Sequence, residues 1–61
     1  MMVIPDRKEF TVARAAQVLE RSDATVYRWI DEGYLKVERR PKNRLIVRRE
    51  FLVEVLQKLE S

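Results

Sequence analysis

The side chains able to do chemistry are unevenly spread along these 61 residues. Histidine and cysteine are absent, which removes the usual metal ligands and the commonest nucleophile–base pairs. There is no glycine-rich phosphate loop, and the acids are scattered rather than paired. Cations are concentrated instead. Between positions 36 and 49 stand Lys36, Arg39, Arg40, Lys42, Arg44, Arg48 and Arg49 against the single acid Glu38. That stretch carries +6, so the remainder of a chain whose total is +3 carries −3. A compact cationic stripe on an otherwise mildly acidic domain suits a polyanionic partner and excludes catalysis by the familiar constellations. No cofactor and no small-molecule ligand are expected.

A stripe of charge binds only if elements hold it in place. At this length one domain is expected, with a thin core and modest stability. Residues 1–9 read as a partly ordered arm, and 10–61 as the folded domain, with Phe10 its first core residue. Thr11 is a good helix N-cap, and Val12, Ala15, Ala16 and Leu19 then form one apolar face, predicting a helix over about 12–20. Ser22 is a second N-cap, followed by Asp23, whose charge suits the positive helix end. Val26, Trp29 and Ile30 recur at helical spacing, and Gly33 sits where a left-handed residue would end the helix, which gives about 23–32. Only about three residues join the two helices. Short helices, alanines at the crossing and a cap at the second start together describe a helix-turn-helix.

After Gly33 the period changes. Leu35 and Val37, then Leu45 and Val47, alternate with charged residues, predicting a two-stranded hairpin over 35–38 and 45–48. Pro41 and Asn43 lie in the turn between, so the cations crowd its tip. A closing helix runs from Arg48 or Arg49 to Leu59, with Phe51, Leu52, Val55, Leu56 and Leu59 inward and Val53 off the stripe. The fold class is mostly α with a small β-hairpin: helix, turn, helix, hairpin wing, helix. No apolar run is long enough for a membrane span, and no signal pattern is present, so a cytoplasmic location is the default.

Within the motif, Ala16, Glu20, Val26 and Trp29 meet the spacing of a small residue, a turn residue, a β-branched clamp and a bulky clamp. Glu20 departs from it, because glycine is usual at that turn. From Phe10 to Leu59 the chain resembles the excisionase-like, MerR-related winged helix-turn-helix family. The resemblance rests on Phe10-Thr11-Val12, Ala15-Ala16, the run Ser22-x-x-Thr25-Val26-Tyr27-Arg28-Trp29-Ile30, then Gly33-x-Leu35. It continues through Arg44-Leu45-Ile46 and the closing helix with Phe51 and Leu56. It implies a double-stranded DNA partner, with a transcription regulator or an excisionase-like recombination factor as the role, and a homodimer or cooperative head-to-tail assembly on DNA. The long dimerisation helix of MerR-type activators has no counterpart here.

In that geometry the second helix enters the major groove, its N-terminal half toward base edges. Its outer face offers Ala24, Thr25, Tyr27 and Arg28. Arg28 is the leading base reader, since a guanidinium can grip guanine O6 and N7 together. Ser22 and Thr25 position phosphates or cap the helix, with capping alone the simpler role for Ser22. Tyr27 either reaches the DNA or lies at the core edge. Trp29 is assigned to the core. Arg39, Arg40, Lys42, Asn43 and Arg44 would follow the backbone or enter the minor groove. Arg48 and Arg49, misplaced as cations at a helix start, point to a phosphate role for at least one of them. About four to six phosphate contacts are expected. A protein-interaction module, or a binder of RNA or single strands, is the alternative, and Tyr27 and Tyr34 are the aromatics available for stacking.

Overall fold

The computed structural model describes residues 4–60. In chain order the elements are β1 (Glu9–Thr11), α1 (Val12–Leu19), α2 (Asp23–Asp31), β2 (Glu38–Arg40), β3 (Arg44–Arg48) and α3 (Arg49–Glu60). Both N-caps act as their chemistry dictates. Thr11 Oγ1 accepts from the Arg14 N–H at 3.2 Å, and Ser22 Oγ accepts from the Thr25 N–H at 3.2 Å. Each cap is worth about 1 kcal/mol to its helix.

Both helices of the pair end in the same way. Glu20 adopts φ 56°, Arg21 N–H donates to the Ala16 carbonyl at 3.0 Å, and Glu20 N–H donates to Gln17 at 3.2 Å. At the end of α2, Gly33 has φ +79°, Tyr34 N–H donates to Trp29 at 2.8 Å, and Gly33 N–H donates to Ile30 at 3.1 Å. These are two Schellman closures, which satisfy carbonyls that a helix end would otherwise leave unpaired. Glu20 thus takes the left-handed corner, where glycine is usual, despite its Cβ.

The core gathers Val12, Ala15, Ala16 and Leu19 of α1 with Val26 of α2. Phe10, Leu35 and Val47 join them, and Leu52, Val55 and Leu56 of α3 close it. Trp29, assigned to the core from its spacing, packs at the rim. It is half-buried and meets Tyr34 edge-on with ring centroids 5.3 Å apart, while the Arg21 guanidinium lies 5.9 Å from its ring centre. Val53, off the apolar stripe, is half-buried rather than exposed.

The β region differs from the two-stranded hairpin in two respects. It is a three-stranded antiparallel sheet in the order β1-β3-β2, so the segment at Glu9–Thr11 supplies a strand that alternation over three residues cannot reveal. Residue 9 therefore belongs to the sheet, and the portion of the arm at residues 1–3 lies outside the described residues. The first wing strand is also shifted, to 38–40 from 35–38. Tyr34 and Leu35 are used up in folding back onto α2, where both donate to the Trp29 carbonyl, so Leu35 is buried from an irregular segment. A charged strand Glu38-Arg39-Arg40 is tolerable because it is an edge.

Candidate nucleic-acid interface

Residues paired across an antiparallel sheet share a face. Phe10 pairs with Val47 and Arg39 with Leu45, which sets these four on the helix-packed face. Glu9–Arg48, Thr11–Ile46, Glu38–Ile46 and Arg40–Arg44 define the outer face. Register thus sets Arg40, Arg44 and Arg48 on the outer face and Arg39 on the other, while ion pairing within the chain divides the same cations differently.

Along the outer face runs an ion-pair network. The Arg40 guanidinium donates to the carboxylates of Glu9 and Glu38. The Arg48 guanidinium donates to Glu38 at 3.0 Å and to Glu50 at 2.9 Å. The hydrogen bonds from Arg40 and then Arg48 hold the Glu38 carboxyl below its ordinary range. Its own backbone N–H and then Arg48 do the same to Glu50. In return Glu9 and Glu38 raise Arg40, and Glu50 and Glu38 raise Arg48. Arg48 ends β3, and Arg49 begins α3 with its guanidinium donating to the carbonyls of Pro5 and Arg7. Both cations at this helix start thus have partners within the chain.

The tip is different. Lys42 and Asn43 form the turn after Pro41 with φ 65° and 59°, left-handed conformations that suit asparagine and cost a lysine. Arg39, Lys42, Asn43 and Arg44 are exposed, and none has an ion-pair partner among the described residues.

Facing this tip is α2. Ala24, Tyr27 and Arg28 are exposed, Tyr27 by 52%, whereas Val26 behind them is fully buried. Thr25 is half-buried, its hydroxyl 3.0 Å from Ser22 Oγ, so the cap occupies both hydroxyls. A cleft runs between the helix and the wing. Asp23 and Tyr27 form one wall, Asn43, Arg44 and Leu45 the other, and Thr11 through Ala13 the floor. Asp23 is the one carboxylate lining it. The structure therefore brings Tyr27, Asn43 and Arg44 together. Arg28 and Ala24 lie on the exposed side of the same helix, and Arg40 and Arg48 are set apart in the network.

A protruding nine-residue helix, capped at one end and closed by glycine at the other, packs across a shorter helix beside a cationic hairpin. A family model described as a helix-turn-helix domain matches residues 9–60. The chain belongs to the helix-turn-helix domain family. A helix-turn-helix domain binds DNA and is typically not an enzyme, and the fold here is of the winged kind. Comparison with curated proteins and with solved structures gives no match. No described helix of this helix-turn-helix domain is long and apolar enough to cross a membrane.

Sequence reasoning passed over Arg7 and Arg14. They line a second cleft on the outer face of the sheet with Thr11, Arg40, Arg44 and Ile46. Neither stands in the cation-rich stretch, and no local pattern joins position 7 to position 44. Only the pairing of β1 with β3 does so.

Proposed function

We propose that this domain binds double-stranded DNA with α2 in the major groove and the hairpin tip on the adjacent backbone and minor groove. Arg28 reads a base edge. Tyr27 and Asn43 line the path of the intervening strand, and Arg39, Lys42 and Arg44 hold phosphates. Ser22 and Thr25 are cap residues first, and Ala24 is small enough to let the helix sit close. Arg40 and Arg48 brace the wing. The observation that carries this reading is the cleft between α2 and a wing tip whose cations have no carboxylate partner among the described residues. The role that fits is regulatory, as a transcription regulator or an excisionase-like recombination factor, acting in the cytoplasm as a dimer or a cooperative array on DNA.

The experiment is a salt titration of binding to duplex DNA. Three cations, Arg39, Lys42 and Arg44, release counterions at about 0.9 each, so log affinity falls against log salt with a slope of about −2.7 or steeper. A slope shallower than about −1 overturns the reading. A binding selection on randomised duplexes then locates the reader: Arg28→Ala relaxes preference at one base position and costs about 1–3 kcal/mol on the preferred site.

A further inference from the structure

We infer that the outer cleft of the sheet is a second phosphate site, in which Arg7 and Arg14 hold the DNA strand on the far side of the minor groove, with Arg44 at the junction of the two clefts. This rests on the proposed docking of α2 and the wing. Three observations carry it. Arg44 lines both clefts, so the surface that begins at Tyr27 continues around the base of the wing to Arg14 and Arg7 without a break. Arg7, Arg14 and Arg44 are exposed and have no ion-pair partner among the described residues, while Glu9, the one carboxylate lining the outer cleft, is already engaged by Arg40. The arm that carries Arg7 is also fastened. Arg49 N–H donates to the Lys8 carbonyl at 2.9 Å, and its guanidinium reaches the carbonyls of Pro5 and Arg7. A fixed backbone carrying an unpaired guanidinium into a cationic cleft suits an anionic ligand.

The geometry names the source of the anions. A minor groove is about 6 Å across, so a hairpin tip lodged at its mouth has one backbone strand on each face. The strand between α2 and the wing occupies the first cleft. The opposite strand passes over the outer cleft at Arg7 and Arg14, which the uncharged pair Thr11 and Ile46, lining both clefts, separates from the first. Phosphodiesters, which need no dedicated pocket beyond cations at suitable spacing, are the ligand such an open surface takes.

The test uses the full chain and a mixed-sequence duplex about two helical turns long. Removing two phosphate contacts with Arg7→Ala/Arg14→Ala makes the salt slope shallower by about two and weakens binding about a hundredfold at 0.1 M salt. Hydroxyl-radical protection is lost on the strand across the minor groove and kept on the strand beside α2. The melting midpoint stays unchanged, and Arg7→Lys/Arg14→Lys restores most of the slope. If slope and protection are unchanged while wild type binds duplex, the outer cleft is not a DNA site, and the docking of α2 stands. A binding loss that tracks a fall in melting midpoint shows a structural role and overturns the inference. If the wild-type chain protects neither strand, the docking reading fails first and this one with it.

Discussion

Two sets of wing cations serve different purposes. Arg40 and Arg48 are neutralised by Glu9, Glu38 and Glu50 on three different elements, and they tie β1, β2, β3 and α3 together. Arg39, Lys42 and Arg44 have no ion-pair partner among the described residues, although Arg44 stands directly across the ladder from Arg40, and Lys42 occupies a backbone conformation that a lysine adopts at a cost. A cation already holding two carboxylates releases few counterions when a phosphate arrives. Net charge therefore overstates what a basic stretch can bind, and the useful count is of cations without partners.

The comparison can be broken most forcefully at the tip. Replacing Arg39, Lys42 and Arg44 together with alanine should weaken duplex binding about a thousandfold at 0.1 M salt and make the slope shallower by about three. An equal loss from Arg48→Ala would erase the distinction.

Lys42→Gly sharpens it with one residue. Glycine takes the left-handed turn freely, so stability should rise by about 0.5–1 kcal/mol while affinity falls about tenfold and the slope loses about one. Denaturant unfolding and a salt titration on the same sample read both signs, and a variant that loses stability refutes the strain at position 42.

Arg48→Ala should lower the melting midpoint and leave the slope unchanged. Acid should act on the same ion-pair network. Glu38 and Glu50 titrate below their ordinary value of 4.5, because the folded state favours their charged forms. Their contribution to stability is therefore complete above pH 4.5 and is lost as pH falls through the lowered values. A melting series in acid should show this decline, and Glu38→Gln should flatten part of it. Unchanged curves for that variant would remove Glu38 from the network.

Much of this was legible in the chain because helices write their packing at short range. Thr11 and Ser22 announce their helices, the faces of α1 and α3 follow the 3.6-residue period, and Gly33 marks the end of α2. What failed to show is what depends on distant pairing. Leu35 and Val37 alternate as a strand would, yet the closure after Gly33 turns Leu35 inward before any strand begins. Residues 9–11 are too few to display a period, and Thr11 serves as both strand end and cap. Glu9 and Arg40 meet across a sequence separation of 31, and Arg7 reaches the cleft of Arg44 through the same strand pairing. The division of the basic stretch into bound and free cations is thus a property of the sheet rather than of the sequence window.

The length of α2 has a consequence for how much such a domain can specify. Nine residues rise about 13 Å, and a helix of that length lies along roughly four base-pair steps. A four-letter word recurs about once in every 256 positions of random sequence, far too often to mark one locus among a genome's competing sites. An address must then be written by several copies side by side, or by the stiffness and groove width of the DNA under the wing.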